Sequence, residues 1–156
     1  MWPELTVDEN LRYIGRLKGL NDKQIAKQQE IVKNLLSLDK HSSKKAYKLS
    51  GGNKRKLCSA LALMKTPDLI FMDEVSNGVD PISRKNLYSY LKRLRETSTL
   101  IITHRIDEAE KICDKIAVMC DGVFLDCDDP KNLKEKHGQV FILQVEPTVG
   151  TAMSIQ

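Results

Sequence analysis

The sequence predicts an α/β fold with a mainly parallel sheet, on three observations. The uninterrupted apolar run 69–72 and a second stretch, 99–103, apolar between two threonines, have the length of buried strands. Helical patterns lie before, between and after them, so strands alternate with helices. Asp80-Pro81, between the two runs, is a helix start with the cap at Asp80 and proline at the first helical position. At 156 residues the chain can bury one ordinary core, which predicts one domain.

The elements follow in order. Thr6 and Glu9 have capping-box spacing, which starts a helix that runs to about Lys18 and ends at Gly19. Asn21 and Gln24 repeat the pattern and start a second helix, with Ile25, Val32, Leu35 and Leu36 on one face. The stretch 39–48 is polar and reads as loop. Ser50 caps a third helix that runs to about Lys65, and Pro67-Asp68 ends it. The helix after Asp80 is expected to bury Ile82, Leu87, Leu91 and Leu94. A short acidic helix spans 106–113. Strands 116–120 and 123–127 flank Asp121-Gly122, a strong hairpin signal. A last helix covers 130–136 and ends at Gly138. A final strand is expected over 139–145 and a loose tail from Pro147.

Composition narrows the function classes. Hydrophobic content of 41% and charged content of 29% are those of a globular protein. The longest mostly apolar run, 57–64, is far short of the roughly 20 residues that span a bilayer. Glu4, Asp8 and Glu9 near the start leave no apolar signal core, so no secretory signal is expected. The net charge of +4 is mild and interleaved, apart from a basic cluster over 41–48 that reads as a solvated loop. A nucleic-acid footprint needs a stronger stripe, and no nucleic-acid partner is expected. Cys58, Cys113, Cys120 and Cys127 form no Cys-x-x-Cys pair, and no histidine has metal-ligand spacing. The patterns around Cys58 and Cys120 predict buried, reduced thiols.

Three places carry candidate chemistry. In Ser50-Gly51-Gly52, two glycines open a helix, where each is about 1 kcal/mol worse than alanine. One reading is a bare helix start that lets an anion reach unpaired N–H groups, with Lys54, Arg55 and Lys56 adding positive charge. The other is a cap followed by a flexible turn. Asp73 and Glu74 stand where the first apolar strand emerges, and adjacent strand residues face opposite sides. They therefore need separate jobs: Asp73 holding Mg²⁺ and Glu74 acting on a water, or simply a strand meeting solvent. His104 ends the second strand and is either structural or part of a site. Parallel sheets bind ligands beyond the carboxyl ends of their strands, where all three residues fall.

These residues resemble the ATP-binding cassette (ABC) ATPase domain. Leu49-Ser50-Gly51-Gly52 looks like the family's signature motif, and Leu69-Ile70-Phe71-Met72-Asp73 like its Walker B strand. Glu74 matches the catalytic glutamate, Ser76-Asn77-Gly78-Val79-Asp80 the D-loop, and His104 the switch histidine. The finer resemblance is to the A subfamily, associated with lipid movement. It rests on Gly51-Gly52-Asn53-Lys54-Arg55-Lys56-Leu57, Glu4-Leu5-Thr6-Val7, Asp107-Glu108-Ala109-Glu110 and Leu133-Lys134. No Gly-x-x-x-x-Gly-Lys-Ser/Thr loop occurs, and the family's Q-loop segment would precede Trp2. Asn53 replaces the usual glutamine, Val75 the usual proline, and Asn77 sits at a variable D-loop position.

The resemblance implies a P-loop-NTPase-like parallel-sheet core with a helical signature subdomain, incomplete because the N-terminal β subdomain and P-loop are missing. Residues 1–146 would be a partial ATPase domain, with 1–65 the helical subdomain, 66–146 the Walker B and switch part, and 147–156 a tail. It implies ATP and Mg²⁺ as cofactors. The partners would be a second nucleotide-binding domain, head to tail, and the transmembrane domains of a transporter. The chain would then sit on the cytoplasmic side of a membrane. Ser50, Gly51 and Gly52 would contact ATP held by the partner, and Asp80 would cross the interface. Asp73 would hold Mg²⁺, Glu74 would act on the attacking water, and His104 would contact the γ-phosphate. The isolated chain would be inactive. Two other roles stay open: a degenerate cassette that supplies only the signature surface, and a soluble non-transport cassette protein.

Overall fold

A computed structural model describes residues 1–94 and 96–138. The chain divides into two compact units, Met1–Ile112 and Cys113–Gln156.

In the first unit, helix α1 (Val7–Leu17) opens with the Thr6/Glu9 capping box, and α2 (Asp22–Leu36) with the Asn21/Gln24 box. Both boxes satisfy orphan N–H groups reciprocally. Asn10 is fully buried in α1. Its amide donates to the carbonyls of Trp2, Leu5 and Thr6, and its oxygen accepts from the Trp2 N–H. That satisfies a polar group that would otherwise be expensive to bury. The stretch 39–48 holds two single 3₁₀ turns, Asp39–His41 and Ala46–Lys48. It is pinned to the start of the chain: the Val7 N–H donates to the Lys44 carbonyl and the Ala46 N–H to that of Leu5. The basic cluster is thus an anchored turn rather than a free loop.

Helix α3 (Gly51–Leu63) buries Lys56, Leu57, Ser59, Ala60, Leu61 and Leu63, and packs against both α1 and α2. Gly15 permits this close approach. A Cβ there would stand 2.8 Å from Ile25 Cγ1 and 3.1 Å from Met64 Cε.

Strand β1 (Leu69–Asp73) pairs in parallel with β2 (Ser98–Ile102), with Phe71 beside Leu100 and Asp73 beside Ile102. The crossover is α4 (Pro81–Arg93), and α5 (Ile106–Ile112) follows β2. The parallel sheet of the sequence reading is therefore present, with two strands among the described residues.

Three expectations are corrected here. The two stretches were expected to be buried strands. Ile70 and Met72 do enter the core, but Phe71 is 70% exposed, and Leu69, Leu100 and Ile102 are exposed with it. Among the described residues one face of the sheet lacks a covering layer. On α4, Leu87 and Leu91 are buried as expected and Leu94 is partly buried, but Ile82 is exposed, and Ser83 and Tyr88 join the buried face. Ser83 fixes this phase, because its hydroxyl donates to the Leu36 carbonyl and its N–H to Asp80 Oδ1. Cys58 and Cys120 were expected inside and are both exposed. Cys58 lies on an open face of α3, lining a shallow cavity with Arg55 and Asp73, and Cys120 ends a strand at a turn.

In the second unit, β3 (Ile116–Cys120) and β4 (Val123–Asp128) form the expected antiparallel hairpin, with a register shift between Val118 and Met119. Asp121 and Gly122 both have positive φ, 48° and 78°, as a two-residue hairpin turn requires. Asp129 caps α6 (Pro130–His137). Asp126 pairs with His137 at 2.8 Å and Asp128 with Lys136 at 2.9 Å, which hold α6 on β4. The strand expected over 139–145 and the tail from Pro147 lie outside the described residues.

Candidate active site

The site is built where the two parallel strands end. The Glu74 N–H still donates to the Ile102 carbonyl, at 2.9 Å, so the ladder carries Glu74 to the strand edge. There its backbone turns left-handed, with φ of 45°. That conformation is unfavourable for a residue with a Cβ. It folds the chain back so that Asn77 reaches the carboxylate: the Asn77 side-chain amide donates to Glu74 Oε2 at 2.9 Å.

The second oxygen is held from the other strand. The His104 N–H donates to Glu74 Oε1 at 3.0 Å, and His104 Nδ1 lies 2.8 Å from the same oxygen. An acceptor at Nδ1 places the proton on that nitrogen and directs Nε2 elsewhere. The His104 hydrogen bond holds the Glu74 carboxyl below its usual range, with Asn77 adding to the effect. Asp73 is exposed and beside Phe71 and Arg55. It makes no side-chain hydrogen bond or ion pair among the described residues, so its carboxylate is open to a ligand. The two acids thus have unlike surroundings.

The start of α3 is less open than the sequence suggests. Ser50 Oγ accepts from the Asn53 N–H at 3.3 Å and caps the helix. Space above Gly51 is empty. Gly52 has a packing reason to be glycine: a Cβ there would collide with the Gly78 carbonyl oxygen. Nor do all three cations face a free anion. Arg55 donates to the Asn77 carbonyl, and Lys56, only 7% exposed, pairs with Asp80. The Lys56 charge is thus compensated inside the protein, whereas Arg55 stays exposed and bonds only a neutral carbonyl. The Lys56 hydrogen bond, with the Ser83 N–H, holds the Asp80 carboxyl far below its ordinary range.

The structure therefore joins Glu74 to His104 directly, and joins Gly52 and Asp80 to Glu74 through loop 74–80. No hydrogen bond or ion pair links Ser50 or Gly51 to Asp73, Glu74 or His104 among the described residues. Sequence reasoning gave Asn77 no role at the site. Its contact depends on the left-handed turn at Glu74, which no spacing reveals. It also gave Glu108 no role. That buried carboxylate accepts from the Tyr88 hydroxyl at 2.7 Å and pairs with Arg84 at 3.1 Å and Arg105 at 2.8 Å. Burial first, and then Glu108, push the Tyr88 phenol up to about 12. Arg105 follows His104 in the chain, so this cluster braces the residue beside it.

A divalent ion shared with phosphate oxygens needs only one or two carboxylates from protein. Exposed, unpaired Asp73 fits such a shared site. Among the described residues no group of three or more His, Cys, Asp or Glu side chains could hold a metal unaided.

The chain is similar to known proteins. The family model described as ABC transporter matches residues 1–77. ABC transporter A family member 3 of Arabidopsis thaliana is 38% identical over 148 residues, covering 92% of this chain and 16% of that protein. A family member 10 of the same plant is 36% identical over 152 residues, covering 96% of this chain and 17% of its own length. The mouse (Mus musculus) protein named cholesterol transporter ABCA5 is 30% identical over 149 residues, 94% of this chain and 9% of its own. The chain thus spans about a sixth or less of the length of these relatives. A solved structure titled as the ATP binding subunit of an ABC transporter superposes with a TM-score of 0.80 at 23% identity, covering 88% of this chain and 58% of that one. That match shows the shared fold. With the motifs in order, the strand-end site and these relatives, the chain belongs to the ABC transporter family.

Proposed function

We propose that this chain is part of an ATPase domain that hydrolyses ATP at the interface of two cassettes and powers transport across a membrane. The observation that carries this reading is the Glu74 carboxylate, held at the end of β1 by His104 and next in the chain to exposed Asp73. In this reading Glu74 orients and deprotonates the attacking water. His104, when doubly protonated, donates from Nδ1 to Glu74 and from Nε2 to the γ-phosphate. Asp73 is the residue that would hold Mg²⁺, which supplies neutralisation of phosphate charge when bound. Ser50, Gly51 and Gly52 face nucleotide on the partner cassette, with the open space above Gly51 as the point of approach. Asp80 lies toward that interface. The partners are a second cassette and transmembrane domains; no helix among the described residues is long and apolar enough to cross a membrane. A lipid is the cargo we favour, from the A-subfamily resemblance and the name of the mouse relative.

The test is Glu74→Gln in a polypeptide that joins this chain to a phosphate-binding loop. Hydrolysis should fall by at least ~100-fold, as for loss of a general base, while ATP still binds. Wild-type turnover in that variant sinks the reading. The 156 residues alone contain no phosphate-binding loop motif, and that loop supplies most of the positioning. Purified alone, the chain should show no Glu74-dependent hydrolysis.

A further inference from the structure

We propose that Arg55 and Asn77 are positioning residues for Glu74, forming a hydrogen-bonded link from the first turns of α3 to the strand-end carboxylate. This deepens the ATPase reading and rests on it. The link is continuous. The Arg55 guanidinium donates to the Asn77 carbonyl, and the Asn77 side-chain amide donates to Glu74 Oε2 at 2.9 Å. Two further contacts hold the same loop to the same helix. Gly78 lays its carbonyl over Gly52, in space that only a glycine leaves, and Lys56 pairs with Asp80 at the loop's far end. Loop 74–80 therefore meets α3 at three points: Asn77 at Arg55, Gly78 at Gly52 and Asp80 at Lys56.

The consequence is mechanical. Glu74 Oε1 is fixed by β2 through His104, and Oε2 is fixed by α3 through Asn77. The carboxylate plane is set by two elements at once. Ser50, Gly51 and Gly52 open α3, and Arg55 stands about one turn further along the same helix. A shift of the helix start on meeting a ligand pulls on the Asn77 carbonyl and turns the Glu74 carboxylate. A chain site facing one nucleotide is thereby tied to the carboxylate facing another, without the link passing through the sheet.

The experiment uses the polypeptide that joins this chain to a phosphate-binding loop. The variants are Arg55→Met, Arg55→Lys, Asn77→Leu and the double variant Arg55→Met/Asn77→Leu, with Glu74→Gln as reference. Arg55→Met and Asn77→Leu should each lower kcat by about 10-fold with KM for ATP within about twofold, because the link acts on orientation rather than on binding. The double variant should be no worse than either single one, since both cut one link. Arg55→Lys, which can still donate to the Asn77 carbonyl, should recover most of the loss. Two results overturn the proposal: wild-type kcat in both single variants while Glu74→Gln is inactive, or losses that simply multiply in the double variant. Activity retained in Glu74→Gln instead defeats the ATPase reading itself. A second measurement needs no turnover. In amide spectra of the 156-residue chain, Arg55→Met should move the Asn77 side-chain and His104 backbone signals. Unmoved signals overturn the link even where activity is lost.

Discussion

Glu74 has a backbone conformation that most residues avoid and two hydrogen-bonded oxygens that fix its side chain. The motif of apolar strand followed by Asp and Glu was legible in the sequence, and so was His104 at the end of the next strand. Their contact was not, because it depends on the parallel register that sets Asp73 beside Ile102. Asp80 shows the same limit. Its role as helix cap was readable from Asp80-Pro81, whereas its ion pair with buried Lys56 needed the packing of α3 on the loop. That pair has a pH signature. A carboxyl held below its ordinary value contributes stability that is fully present above about pH 4 and is lost as the pH falls through its folded value. The Asp80 side chain is about half exposed, so solvent screening keeps the contribution small. Asn caps helices as well as Asp, so Asp80→Asn removes the charge and keeps the cap. Urea midpoints of wild type should drop more between pH 7 and pH 3 than those of Asp80→Asn. Parallel decline in the two proteins would show that the ion pair contributes nothing.

At the scale of elements, helices were read well wherever a cap announces them. Both capping boxes, the Ser50 and Asp80 caps and the Asp121-Gly122 hairpin turn stand where the sequence put them. These signals are local, and the residues that make them touch each other. Facing was read less well, because it is decided by what an element meets. Ile82 fits an apolar stripe on α4 but lies one position away from the face that Ser83 anchors to Leu36. The strands are apolar on both sides, yet only Ile70, Met72 and, partly, Ile101 meet the core. Cys58 sits in an apolar helix that packs nearly all round, and takes one of its few open positions. Its thiol should therefore react with a maleimide in the native chain within the time that labels Cys127, before any denaturant is added. Protection of Cys58 until unfolding would mean that the open face of α3 is covered in solution.

The two units of the molecule are held by different forces. Met1–Ile112 has a core in which Leu11, Leu57, Leu63, Val32 and Met64 are essentially sealed from water. No residue of α6 is buried, and its side-chain contacts to β4 are polar: Lys136 pairs with Asp126 and Asp128, His137 hydrogen-bonds Asp126, and the Asn132 amide donates to Asp128. Lys136 accordingly holds the Asp128 carboxyl down to about 2. Exposed ion pairs are worth little singly and are screened as the Debye length contracts to about 3 Å in 1 M salt. Burial of apolar surface is not weakened that way. Hydrogen exchange in 1 M sodium chloride should thus accelerate over α6 while α3 keeps its protection; equal behaviour would show that something other than charge seats α6. The chain then answers two separate questions of its surroundings. Denaturant tests whether the helical part stays folded, whereas ionic strength alone tests whether the last described helix stays seated. Salt concentration can thus act as a dial on one end of the chain without disturbing the other.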